Sequence, residues 1–245
     1  MGIQGLGFLP CLWSVWTFLG LAVCYTLTLV QGHKTRYTIF ISDTGNSYPE
    51  SIVFAAVFFM SAIFGCVTVY IIYRFNAIRM AEPRRRFAIM QGILLAIGSI
   101  SALMYMLTGI FSSRVDMTVH RASTAVGAIL GCLYILSQAI TLYWTSTGSR
   151  QSCHFRLGFA ILTIVDLLIF GVTSCYVFVF RSKMLHNEVL YYTVIITEWV
   201  GIFLYQSFYF TMMADLQHLA FQSPKKWKDD WIIARERLQD SPESP

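Results

Sequence analysis

The sequence predicts an all-α, polytopic membrane protein of six transmembrane helices with both termini in the cytoplasm. Three observations lead there. Hydrophobic residues make up 56% of the 245 residues and charged residues only 13%, about half the charge of a soluble domain. Six apolar runs are each long enough to cross the roughly 30 Å of bilayer hydrocarbon. Lys and Arg are distributed unequally between alternate connecting segments. This composition excludes a soluble globule, a disordered chain and a disulfide-stapled secreted domain.

The spans follow in order. The first covers residues 8–30 and holds no charge. The preceding MGIQGLG lacks Lys and Arg, the apolar run is longer than a signal h-region and no A-x-A site follows, so it reads as a retained span. The second (51–73), third (87–111) and fourth (122–145) are also uncharged. The fifth (157–180) contains only Asp166 and the sixth (191–214) only Glu198. Short connections leave no room for a soluble domain, so residues 1–214 form one membrane domain and 215–245 a tail. Loops 2 and 4 with both termini carry twelve Lys and Arg, against six in loops 1, 3 and 5. Positive residues stay inside, so loops 1, 3 and 5 are expected to be exoplasmic.

Loop 1 is the most patterned segment: Ile41-Ser42-Asp43-Thr44-Gly45, then Pro49-Glu50. Asp43 and Gly45 suit a turn. Ser47-x-x-Glu50 has the spacing of a capping box opening the second span, which leaves Asp43 the freer acid. Glu198 lies about 10 Å inside the sixth span by helical rise. An acid there faces the bundle interior or water, either as a proton, ion or headgroup site or as a neutral acid bonded to a neighbouring helix. Asp166 has the same two readings. His120, ahead of the fourth span, admits three: a catalytic cluster with Asp43 or Glu198, a pH-responsive polar cluster, or a residue that pins loops by hydrogen bonds. No metal-ligand spacing occurs and no cofactor is expected.

The run Phe8-Leu9-Pro10, Trp16, the ISDTG of residues 41–45 and Pro49-Glu50-Ser51 resemble the DRAM proteins, the damage-regulated autophagy modulators. These belong to a wider six-span group with the Frag- and Sfk-type proteins and the GPI-lipid-remodelling Cwh-type N-terminal domain. The similarity continues at His120 and at Glu198-Trp199, and covers Phe8 to about Ala214. The resemblance implies a multi-pass lysosomal or other endomembrane protein, or one of the plasma membrane, that promotes or modulates autophagy. The resemblance supplies no chemical activity, and with no recognised nucleophile motif in the sequence the first reading is non-enzymatic action through membrane lipids or membrane-protein partners. The alternatives are a lipid or GPI-glycolipid remodelling enzyme using His120 with Asp43 or Glu198, and a transporter or channel.

At the cytoplasmic face, Arg84, Arg85 and Arg86 either set topology or attract anionic lipid such as phosphoinositide. In the tail, Ser223-Pro224 opens a short amphipathic helix that places Trp227 and Trp231 on one face beside Lys225, Lys226 and Lys228, where they contact headgroups. The closing DSPESP reads as disordered. The basic residues are juxtamembrane, so no nucleic-acid partner is expected. Gly127-x-x-x-Gly131 reads as a packing motif within the bundle, and Cys153 as a loop thiol, free or palmitoylated.

Overall fold

The computed structural model describes residues 5–34, 39–79, 85–145, 150–179 and 188–217. Among them, all regular structure is helical: α1 (Phe8–Val30), α2 (Glu50–Arg79), α3 (Arg85–Ile110), α4 (Met117–Thr145), α5 (Arg150–Val179), α6 (Glu188–Thr211) and the short α7 (Met213–Leu216). Six of these helices are long and apolar enough to cross a membrane. Several outrun their apolar stretches, because hydropathy marks the thickness of the hydrocarbon and backbone bonding marks the end of a helix. Thus α4 begins at Met117: the Asp116 carboxylate accepts the N–H groups of Thr118 and Val119 at 2.9 and 3.0 Å, an N-cap.

Each long helix packs on its neighbour in sequence, and α1 also packs on α6, which closes the bundle. With lipid outside, close approach and polar bonds replace hydrophobic burial as the glue between helices. The serine and threonine hydroxyls of α1 reach two neighbours, Ser14 to Gln206 of α6 (3.1 Å) and Thr17 to Ser61 of α2 (3.0 Å). Asn76 of α2 donates to Gln91 of α3 at 3.0 Å and Gln138 of α4 at 2.9 Å. Ser101 of α3 donates to the Gly127 carbonyl at 2.8 Å, and a Cβ at Gly131 would lie 3.0 Å from the Ser101 hydroxyl. The GxxxG stripe therefore serves contacts inside the bundle.

Two cores result. Trp13, Tyr134, Phe208 and Tyr209 fill the half nearer the termini. Leu21, Cys24, Ile41, Phe54 and Phe58 fill the half beneath loop 1. In the second, a Cβ on Gly109 would fall 2.3 Å from the Cβ of Phe58. That neighbouring atom is fixed to backbone and cannot swing aside. Gly109→Ala is therefore expected to destabilise the bundle by about 1–3 kcal/mol, read as a lower Tm of the purified protein in detergent; an unchanged Tm would show that α2 and α3 separate freely.

Cys153 differs from the expectation of a loop thiol. It lies in the first turn of α5, 3% exposed, with its Sγ 4.0 Å from the Leu142 carbonyl. α5 starts earlier than its apolar run and carries this residue into the α4 contact, so Cys153 is not presented for lipidation.

Candidate functional site: a clasp between loop 1 and the sixth helix

The ISDTG run forms a single 3-10 turn, Ser42–Gly45, at the end of the bundle that carries loop 1. Each motif residue has a local duty. Ile41 is buried in the core beneath. The Thr44 hydroxyl donates to the Ile41 carbonyl at 2.7 Å and closes the turn on itself. Gly45 sits against the Phe54 ring, where a Cβ would lie 2.5 Å from the ring carbons. Asp43 accepts from Lys34 Nζ at 2.8 Å with one oxygen and from Asn46 Nδ2 at 3.1 Å with the other. Asn46 in turn accepts from the Ser113 hydroxyl at 2.8 Å and the Arg114 N–H at 3.2 Å, which ties loop 1 to loop 3.

The start of the turn is held from across the bundle. Glu198 of α6 accepts the Ile41 N–H on one carboxylate oxygen at 2.8 Å and the Ser42 N–H on the other at 3.2 Å. Helical turns leave their first N–H groups without internal partners and carry positive partial charge there. A carboxylate with both oxygens facing donors is the matching acceptor. The adjacent Trp199 donates its indole N–H to the Ile39 carbonyl at 3.0 Å and packs edge-on against Tyr25. Two consecutive residues of α6 thus hold three backbone groups of one loop segment.

Glu50, the first residue of α2, is fully buried, and its Oε1 lies 2.6 Å from His33 Nδ1. Its carboxyl turns to His33 rather than back to Ser47, so the expected capping box does not form. Ser47 contributes its backbone carbonyl instead, which accepts the Ser51 N–H at 2.7 Å. Pro49 joins Tyr48 through a cis peptide bond immediately before α2.

His120 is buried, and its Nδ1 lies 3.1 and 2.9 Å from the carbonyls of Thr108 and Phe111. Both neighbours are acceptors, so Nδ1 carries the proton and His120 caps the end of α3. A hydroxyl cluster of Thr108, Ser123 and Thr124 surrounds this contact. Asp43, Glu50 and Glu198 are therefore all drawn to loop 1, whereas the bonds of the His120 ring join α4 to the end of α3. Asp166 is 8% exposed and lies against Gly201, where a Cβ would come within 2.6 Å of its carboxylate. Among the described residues, no group of three His, Cys, Asp or Glu side chains is arranged to hold a metal ion.

Arg85 and Arg86 are exposed at the start of α3. Arg84, Lys225, Lys226, Trp227, Lys228, Trp231 and the expected tail helix lie outside the described residues.

Four participants, His33, Asn46, Arg156 and Asp215, were not legible as such in the sequence. His33 and Asn46 carry no spacing signal toward their partners. Arg156, counted only as a topogenic charge, is buried at the other end of the bundle. It donates to the Thr211 carbonyl at 2.9 Å and pairs with Asp215 at 2.7 Å, binding α5 to the end of α6 and to α7. The N-terminal segment closes the same end, with the Leu6 N–H bonded to the Leu216 carbonyl at 3.1 Å.

Six apolar helices and loops tied by polar contacts define a multi-pass membrane protein. The chain belongs to the family described as Frag1/DRAM/Sfk1/Cwh43P N-terminal domain, whose model matches residues 5–219. Among curated proteins it is similar to the DNA damage-regulated autophagy modulator protein 1 of Xenopus laevis, 27% identical, covering 94% of this chain and 98% of that one. It is 22% identical to the protein of the same name in Homo sapiens, over 90% and 94% of the two chains. With the DNA damage-regulated autophagy modulator protein 2 of Rattus norvegicus the identity is 25%, over 89% and 86%. The similarity read from ISDTG and Glu198-Trp199 therefore holds across nearly the whole chain, and the protein is DRAM-like. No solved structure matches it.

Proposed function

We propose that this protein modulates autophagy from a lysosomal or other endomembrane, as a non-enzymatic regulator acting through lipids or partner proteins. The observation that carries this reading is the clasp. The residues that carry the resemblance to the DRAM proteins spend their polar atoms on loop 1: Glu198 on the backbone of the ISDTG segment and Trp199 on the Ile39 carbonyl just before it. Such a site shapes and holds a surface. A remodelling enzyme needs a base beside a nucleophile or acid; among the described residues the His120 ring bonds to the end of α3, while Asp43 and Glu198 bond to groups of loop 1. The names of the relatives supply the autophagic context.

Removing the protein from cells that express it is expected to lower autophagic flux, measured as cargo turnover with and without lysosomal inhibition, and re-expression to restore it. Flux unchanged by removal would overturn the proposal. The same reading has loop 1 exoplasmic and both termini cytoplasmic, from the basic asymmetry. Epitope tags at either end are then expected to be digested when protease is added outside sealed endomembrane vesicles; a protected C-terminal tag would refute this orientation. Exposed Arg85 and Arg86 on the cytoplasmic side favour anionic lipids, phosphoinositides included, as partners.

A further inference from the structure

Two acids lie inside the apolar spans, and their surroundings differ. Glu198 has a backbone N–H group on each carboxylate oxygen. Asp166 has neither: among the described residues no hydrogen bond or ion pair reaches its carboxylate, although it is buried. It stands nine residues into the apolar run 157–180. By helical rise that is about 14 Å, near the middle of roughly 30 Å of hydrocarbon. Gly201 of α6 leaves room for it, since any side chain there would meet Oδ2. An acid at this depth is costly, and membrane proteins keep one where something pairs with it.

The chain does not supply that cation. Every Lys, Arg and His lies outside the six apolar runs. On the same helix Arg156 is ten residues away and already holds Asp215. The titratable neighbour on α4 is the Cys132 thiol, which carries no positive charge. A second copy of this chain brings no cation to this depth either, because its spans are the same. Lipid headgroups stay at the interface, about 15 Å away. A free ion would have to shed its water in an apolar surrounding, and among the described residues no three ligand side chains assemble to replace it.

The place of Asp166 on α5 shows where a cation can enter. One turn back, Thr163 is buried, whereas Leu162 and Ile169 on the other flank are exposed. The acid therefore borders the lipid-facing side of α5, at its seam with α6, where Val200 is exposed as well. Among the described spans α5 is the least covered by its neighbours. A helix laid along this seam meets apolar side chains with a single acid midway.

We propose that Asp166 is the docking point for a transmembrane helix of another protein, one that carries Lys or Arg midway along its apolar span. The ammonium or guanidinium meets the carboxylate beside Gly201, and Leu162, Ile169 and Val200 pack against the apolar residues on either side of it. Opposite charges attract strongly in so low a dielectric, and each relieves the other of standing alone in lipid. The inference deepens the reading of the protein as acting through partners and rests on it. Helix association tests the pairing, and flux on removal of the protein tests that reading separately.

The full chain is reconstituted in phosphatidylcholine vesicles with a dye-labelled peptide of about twenty leucines and alanines, bearing Lys, Gln or Leu at its centre, and association is read by energy transfer. The native chain is expected to bind the Lys peptide and not the Leu peptide. Asp166→Asn should cut binding of the Lys peptide about tenfold, a change of roughly 1.4 kcal/mol, and Asp166→Glu should retain it. Leu162→Trp obstructs the seam but keeps the acid, and should cut binding too. Leu168→Trp, exposed on the far side of α5, should leave it unchanged. Equal binding of the Lys and Leu peptides by the native chain, or Lys binding that survives Asp166→Asn, would overturn the proposal. So would a Gln peptide that binds as well as the Lys peptide, because Asp166 would then act by hydrogen bonding and not by charge.

Discussion

Glu198→Ala is expected to release loop 1 from the bundle. It removes the acceptor of two backbone N–H groups, at Ile41 and Ser42, and hydrogen bonds to a charged group contribute about 1.5–3 kcal/mol each. Loop docking should weaken by roughly 3 kcal/mol or more, enough to raise amide hydrogen exchange at residues 41 and 42 more than a hundredfold. Glu198→Gln is the sharper variant. An amide keeps one oxygen for one donor and turns its NH2 toward the other, so donor faces donor. If Glu198 acts as an ionised acceptor, Gln resembles Ala. If it acts as a neutral acid bonded to a neighbouring helix, Gln resembles the native residue. Native-like exchange at residues 41 and 42 in the Gln variant would therefore defeat the charged clasp. Trp199→Phe loses one neutral bond to the Ile39 carbonyl and should cost only about 1 kcal/mol. Measured alongside, autophagic flux should fall with loop docking, Ala and Gln below Phe.

The other large effect belongs to the opposite end of the bundle. The Arg156 side chain is 4% exposed, whereas that of Asp215 is 31% exposed. The two halves of this pair are thus unequal. Asp215→Ala leaves a buried guanidinium with the Thr211 carbonyl as its remaining described acceptor, and stranding a buried charge costs about 3–5 kcal/mol. Arg156→Met leaves an aspartate that water already reaches, and replaces the buried cation with an apolar side chain of comparable length. Asp215→Ala should therefore lower Tm further than Arg156→Met, and adding Arg156→Met to Asp215→Ala should recover part of the loss. If Arg156→Met proves the worse of the two, the bond to Thr211 outweighs the ion pair, and Arg156 is a helix cap with an incidental aspartate.

Both sites show how far linear pattern reaches. Six helices and a membrane setting were legible because span formation is a local property. Some twenty consecutive apolar residues must satisfy their own backbone in lipid, and only a helix does so. The position of Glu198 was legible for the same reason: an acid inside such a run must face inward. The Gly127 and Gly131 stripe was legible as a site of close packing, since small residues at that spacing do little else in a helix.

What the sequence by itself determined, then, is the class of protein, the number of crossing helices and which intramembrane groups require a partner. The tertiary structure alone decided the partners. Glu198 meets Ile41 and Ser42 across more than 150 residues. Glu50 meets His33 in place of the nearby Ser47, and His120 caps α3. The physical reason is that a hydrogen bond reaches only about 3 Å. Periodicity places a residue on a face and at a depth, but not within 3 Å of a group on a distant element. That last distance is set by how the helices pack and by the path of loop 1 between them, and both depend on all the contacts of the bundle at once.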